Sequence, residues 1–480
     1  MVFNSDVFLF AFFPVVFALF WLARTRGQRL AVLALSGYVF YGYWDWRFCG
    51  LLAFSSLASF AGALAIARST DRRTRRAWLF AVVGVDLAIL GFFKYYNFGA
   101  ASLAAVAPGF APRMLDIVLP VGISFYTFHT ISYVADVAAG RVRPTRDLVK
   151  YLAYVSLFPQ LVAGPIVRYR QIEEDLDRVG APLDEDHVAR GIGFFVTGLI
   201  KKVVVADQIA ALVDPMLASY GTLSVAGAWA AALGYTLQLY FDFSGYSDMA
   251  IATAGLLGYQ LTLNFDYPYL ASNIAEFWRK WHISLSTWLR DYLYIPLGGS
   301  RGSKAFTYRN LMLTMLLGGL WHGASWTFVI WGGLHGLGLI VHREYERVAG
   351  KAGAWWQKLR PIVGPFLCFY FVCITWVMFR AQTVIDPDTG AVQANGFDVA
   401  RTVLKSIVLF HSNGSRELAN SCLWFILALA ILHWLASRKV FAAWWRRLPE
   451  WAYALLLGVG LGVSLLFVPQ HFKAFIYFQF

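Results

Sequence analysis

Long apolar runs separated by short clusters of arginine and lysine recur along the whole chain. The basic clusters fall at residues 24–29, 68–76, 141–150, 301–309, 343–360 and 438–447. Such clusters mark cytoplasmic loops in proteins that cross a membrane many times. Two spans fit between the first two clusters, at 30–43 and 50–66, and two more fit before the third, at 78–95 and 117–137. The nearly uncharged connection 97–116 is then expected outside, and every interval holds an even number of crossings. The first apolar run, 7–23, lacks a basic leader and a small-x-small cleavage site, and basic residues follow it. It reads as a signal anchor with the N-terminus outside.

The middle of the chain is less regular. Residues 151–167 are apolar but carry Pro159 and the Ala163-Gly164-Pro165 break, and the charged stretch 168–190 follows. With both flanks cytoplasmic, the segment enters and returns without crossing, which requires protein or a water-filled cavity to cover its irregular backbone. Further apolar stretches lie at 191–205, 225–263, 361–379, 423–435 and 451–468, with the loop 380–420 and the C-terminus expected outside. The pattern predicts an all-α polytopic membrane protein with about 11–13 embedded segments, read as a single domain over 1–480. It has no internal repeat and no loop long enough for a second domain.

Composition agrees with the pattern. Hydrophobic residues make up 59% of the 480 and charged residues 14%, against roughly 25% charged in soluble domains. The net charge of +13 sits in the inter-run clusters, so nucleic acid is not implied. Cys49, Cys368, Cys373 and Cys422 are scattered with no metal or redox spacing.

Three stretches are richer in polar and aromatic residues than membrane packing requires. The first is Tyr240-Phe-Asp-Phe-Ser-Gly-Tyr-Ser-Asp248, in which Asp242 and Asp248 either line a cavity or cap a helix break at Ser244-Gly245. The second spans 277–294. As one helix it gathers Phe277, Trp281, Trp288 and Tyr292 within about 60° of one another and sets Arg279, Ser286 and Arg290 opposite, with His282 at the border. That is an amphipathic interfacial helix, either a surface anchor or part of a site. The basic, Gly-rich 298–304 follows, without nucleotide-binding spacing.

The third stretch is Gly318-Gly-Leu-Trp-His-Gly-Ala-Ser-Trp326. Its flanks both read as cytoplasmic, so the chain enters through 310–321, about 18 Å of helix, and returns through 324–341, about 27 Å. His322 is therefore expected at the turn, deep in a hydrocarbon layer of about 30 Å. An ionisable residue there marks a functional site by default, and glycines 318, 319 and 323 let other groups approach it. Burial favours neutral imidazole, which can take a proton from a hydroxyl attacking an acyl carbonyl. There is no G-x-S-x-G or Ser-x-x-Lys signature for a rival nucleophile. His335 reads as helix packing, and His129, His433 and His471 as structural. A cytoplasmic donor bearing phosphates would meet Arg279, Lys280, Arg290, Arg301 and Lys304, with Asp291 and Trp321 nearby; the alternative is that these cations only set topology or meet lipid headgroups.

With these residues in view, the chain resembles the membrane-bound O-acyltransferase family in its alginate O-acetylation branch. The resemblance rests on Val2-Phe3, Leu119-Pro-Val-Gly-Ile-Ser-Phe125, Gly164-Pro165, 240–248, Asn264-Phe-Asp-Tyr-Pro-Tyr269, 276–299, 319–326 and the terminal 475–480. Ser300 and Leu261-Thr262-Leu263 depart from the branch's common pattern. The resemblance implies a ring of helices around a central funnel, with His322 as catalytic histidine and His282 as a second one. It also implies acetyl transfer from a cytoplasmic donor such as acetyl-CoA, with no bound cofactor or metal, across a bacterial inner membrane. Periplasmic acetyltransferase partners would then complete modification of an exported polysaccharide. The alternatives are D-alanyl transfer to a cell-wall polymer and, from another class, a polysaccharide or lipid-linked sugar transporter, which would show repeated halves.

Overall fold

A computed structural model describes residues 1–468 apart from positions 108, 111, 183–184, 350–353, 382–383, 386–391 and 446. The terminal motif 475–480, His471 and the C-terminus lie outside the described residues. Nearly every element is a helix; a short antiparallel pair, Val384–Ile385 with Val392–Ala394, is the one sheet among the described residues. Among the described residues three helices are long and apolar enough to cross a membrane: Arg47–Arg68, the continuous stretch Arg72–Val106, and Trp355–Arg380.

The apolar runs become helices, with ends set by local chemistry. The run at 30–43 is the helix Arg26–Asp45, and the Thr25 side chain accepts from the Gln28 N–H to cap it. The run at 78–95 begins as the helix Arg72–Leu90, capped by Asp71, and continues through a π-turn, Gly91–Tyr95, into Tyr96–Val106. Part of the connection expected at 97–116 is thus helical. The run at 117–137 is helical only from Ile123, because Pro120 lacks an N–H and Gly122 takes φ +77° immediately before the helix. The long stretch at 225–263 is a helix of 32 residues, Val225–Leu256.

The chain divides into two compact units. The first comprises Met1–Leu199 and Gly245–Leu263 among the described residues. Its core is helical packing around the buried Asp86 carboxylate, which accepts from Ser55 Oγ at 2.6 Å and Thr130 Oγ1 at 2.7 Å. The segment 151–167 forms two short helices, Leu148–Val155 and Phe158–Leu161, and then irregular backbone that is fully buried. Side chains bond backbone at both ends of this turn: Gln160 Nε2 donates to Tyr154 O at 2.5 Å and Tyr154 OH donates to Val167 O at 3.0 Å. A re-entrant segment requires its irregular backbone to be covered in this way. At its start, Arg26 bridges Asp147 at 3.0 Å and Asp177 at 3.2 Å. Partial burial pushes the Asp147 carboxyl up, but the Lys150 backbone N–H and Arg26 outweigh it and hold the group below its ordinary range.

The second unit comprises Ile200–Ser244 and Asn264–Phe467. It holds a hairpin of two long helices, Lys304–His322 and Trp326–Ala349. Ser303 caps the first, its hydroxyl accepting from Phe306 N at 3.2 Å. Glycines make the seam between the arms. A Cβ on Gly319 would stand 2.3 Å from Phe328 O, and one on Gly332 would stand 2.2 Å from Met315 O. Backbones this close exclude any side chain at those two positions.

Candidate active site

The hairpin places His322 as the last residue of its first arm, next to the turn. The arms are longer than expected: 19 and 24 residues, about 28 and 36 Å as helix. His322 is 4% exposed. Its ring is packed by Trp321 at 5.0 Å, Trp331 at 5.1 Å and Phe379 at 5.2 Å between centroids. Trp331 comes from the second arm and Phe379 from the helix Ala354–Arg380, so three helices build the pocket wall.

The stretch 277–294 is not the single amphipathic helix its periodicity suggests. It forms two short helices, Ile274–Lys280 and Ile283–Leu289, and then a π-turn, Arg290–Tyr294. The break falls at Trp281 and His282, both fully buried. His282 therefore does not sit at the polar edge of a surface helix. Its backbone is left-handed, φ +42° and ψ +56°, a conformation costing a non-glycine residue about 1–2 kcal/mol. The loop after the long helix holds it there. Ile283 N donates to Asn264 O at 2.9 Å and Asp266 N donates to Lys280 O at 3.0 Å. The Asn264 side chain reaches the same turn, with Oδ1 3.1 Å from His282 Nδ1 and 2.9 Å from Ser284 Oγ.

The two histidines meet: their ring centroids lie 6.4 Å apart, and Trp321 is 6.1 Å from His282. Phe243 closes the far side of His282 at 4.7 Å. The result is a pair of imidazoles in an aromatic box, suited to proton transfer in a dry environment.

The other expected residues separate into groups. Asp242 pairs with the buried Lys202 at 2.5 Å, and Lys202 also meets Asp207 at 2.9 Å. Asp242 is thus part of an ionic cluster rather than a bare cavity lining. Asp248 is buried in the first unit. Lys280 bridges Glu276 at 2.9 Å, Arg290 bridges Asp291 at 2.7 Å and Lys304 faces Glu344 at 3.5 Å. Arg279 and Arg301 are exposed and make no ion pair among the described residues. Lys280 also lines an open cleft of about 1050 Å³ with Arg360, Phe366, Trp434 and Arg438. His335 is bridged on both nitrogens, by Trp278 Nε1–H at 3.2 Å and Thr375 Oγ1 at 3.0 Å, as a packing residue should be. His433 packs its ring on Tyr240 at 4.9 Å.

The sequence did not single out Asn264 by itself, nor Lys202. Asn264 stood only within a motif, although a buried amide in an apolar run needs partners. Lys202 lay inside the apolar stretch 191–205 and was passed over there.

A model of the family described as MBOAT, the membrane-bound O-acyltransferase family, matches residues 137–381. The chain belongs to this family. It is 46% identical to a protein named "Probable alginate O-acetylase AlgI" from Azotobacter vinelandii over 388 residues, 80% of this chain and 76% of that one. A peptidoglycan O-acetyltransferase from Helicobacter pylori is 37% identical over 413 residues, covering 80% and 78%. A teichoic acid D-alanyltransferase from Streptococcus thermophilus is 28% identical over 283 residues, covering 54% and 68%. The chain is therefore a membrane-bound O-acyltransferase, and its matched region contains both His282 and His322.

Proposed function

We propose that this O-acyltransferase passes acetyl groups from a cytoplasmic thioester, acetyl-CoA, across the bacterial inner membrane for O-acetylation of an exported polysaccharide such as alginate. The observation that carries the chemistry is the buried pair His282 and His322, 6.4 Å apart in an aromatic box. The pair takes the proton of an attacking hydroxyl as its oxygen bonds to the acyl carbon, and returns it to the departing thiolate. His322 is the base or acyl relay, and His282 supports it. The similarity to alginate O-acetylases supports the acetyl group and the polymer, and periplasmic acetyltransferases would be the partners that receive the group. D-alanyl transfer has the weaker support of a more distant relative matched over 54% of this chain.

The donor's side follows from charge. Arg301 and Lys304 belong to the basic cluster 301–309, which reads as cytoplasmic with the N-terminus periplasmic, and Arg279, Lys280 and Arg290 precede it in the chain. The whole of 1–480 is read as one acyltransferase domain, since the family match runs through residues of both compact units. Purified protein in proteoliposomes, given acetyl-CoA and a polysaccharide acceptor with its periplasmic partners, should release free thiol. D-alanyl carrier thioester serving as donor while acetyl-CoA fails would overturn this reading in favour of the alternative.

A further inference from the structure

The side chain of Asn264 meets three donors or potential donors with a single oxygen. Ser284 N–H points at Oδ1 from 3.2 Å and Ser284 O–H from 2.9 Å. His282 Nδ1 stands 3.1 Å from the same atom. The backbone N–H of Ser284 can only donate, so the amide end facing it is the oxygen and not the NH₂. That settles the chemistry of the third contact. A bare Nδ1 would set two lone pairs against each other at hydrogen-bond distance. Nδ1 therefore carries the hydrogen and donates it to Asn264.

In neutral imidazole the proton sits on one nitrogen, and the other is then an acceptor. With Nδ1–H committed to Asn264, Nε2 holds the lone pair. Nε2 of His282 is fully buried and has no hydrogen-bond partner among the described residues. An unpartnered buried acceptor calls for an explanation. Phe243, Phe265 and Trp321, which pack on the ring, carry no charge, and His322 is the titratable group beside it. The strained left-handed backbone at His282 and the Asn264 main-chain bond to Ile283 hold the ring in this orientation.

We propose that Asn264 is a positioning residue for acyl transfer: it locks His282 in the Nδ1–H tautomer and so turns Nε2 into a proton acceptor directed into the site. This rests on the acyl-transfer reading of the histidine pair. The carbon–oxygen bond to the acceptor forms as the carbon–sulfur bond to the donor breaks. The hydroxyl proton is taken up by the pair, with His282 Nε2 as its terminal acceptor, and returns to the thiolate. No proton is gained or lost overall. The logic matches that of a catalytic histidine held by a third group that fixes its tautomer.

Solid-state nitrogen NMR on the full chain in bilayers, with ¹⁵N-labelled histidine, reads the tautomer directly. The His282 signals are assigned by difference against His282→Gln. Wild type should show a protonated Nδ1 and a bare Nε2. Asn264→Asp, which keeps an oxygen acceptor, should preserve that pattern, and Asn264→Ala should lose it. A wild-type His282 protonated on Nε2 overturns the proposal without touching the acyl-transfer reading. Acetylation of exported polymer in cells supplies the second arm. Asn264→Ala should lower turnover about a hundredfold, the lower end of what a positioned base contributes, at unchanged donor dependence. Asn264→Asp should stay within about tenfold of wild type, a smaller loss than removal of the base causes. Full activity of Asn264→Ala beside an inactive His322→Ala would sink the positioning role alone. Full activity of His322→Ala would instead remove the reading on which it rests.

Discussion

His282 and His322 lie with ring centroids 6.4 Å apart and ring planes tilted by 56°, one at a strained helix break and the other at a hairpin turn. Neither position is set by local propensity alone. The hairpin sets His322 beside its turn, and the Asn264 loop holds the backbone and Nδ1 of His282.

The seam makes the first prediction. Gly332 lies against Met315 O, where a Cβ would be 2.2 Å away. Gly332→Ala must push the arms apart and should lower stability by about 1–3 kcal/mol, the range seen for overpacked cores. Thermal unfolding in detergent checks this. A Tm equal to wild type would mean that the arms are looser than their spacing indicates.

The buried ionic cluster makes the second. Lys202 stands between Asp207 and Asp242 with all three side chains nearly inaccessible. Lys202→Met leaves two buried carboxylates without their cation and should cost about 3–5 kcal/mol. Adding Asp207→Asn and Asp242→Asn should recover much of that loss. If the triple variant is no more stable than Lys202→Met, electrostatics is not what the cluster supplies.

His335 separates packing from chemistry. Its ring accepts from Trp278 and meets Thr375 on the opposite nitrogen. His335→Phe orphans the Trp278 N–H and should cost about 1–3 kcal/mol. Turnover per folded molecule should stay within about twofold, a change worth less than 1 kcal/mol in barrier height. Unfolding midpoint and acetylation, both normalised to membrane protein level, distinguish the two effects. A selective loss of turnover would make His335 part of the catalytic machinery.

Much of this was legible in the sequence. Apolar runs between basic clusters located the helices, and two flanks of like charge placed His322 at a turn. The break at Trp281 and His282 was not legible. Phe277, Trp281, Trp288 and Tyr292 keep a helical phase straight through it, because each element buries its aromatic side on the same core. The bonds that break the helix come from Asn264, distant in sequence, and periodicity carries no trace of such tertiary contacts. The π-turns were hidden for the same reason. Lys202 was missed because its carboxylate partners, Asp207 and Asp242, are brought to it only by the fold.

The cationic segment makes the fourth prediction. Arg301 and Lys304 are exposed, and Lys304 has only a distant partner in Glu344 at 3.5 Å. Reversing both to Glu should raise the apparent KM for acetyl-CoA, more so at low salt, where charges are less screened. Unchanged donor dependence at every ionic strength, in a variant that inserts normally, would leave the cluster as a topology signal. The donor would then be sought elsewhere on that face.

The account stands on His322. The direct measurement is the acetyl content of exported polymer from cells carrying His322→Ala in place of the wild-type gene, with membrane levels of the protein matched. The expected result is loss of acetylation by about a hundredfold or more, the contribution of a positioned proton-transfer group. Retention of even a third of wild-type acetylation would contradict the assignment and move the chemistry away from the hairpin turn.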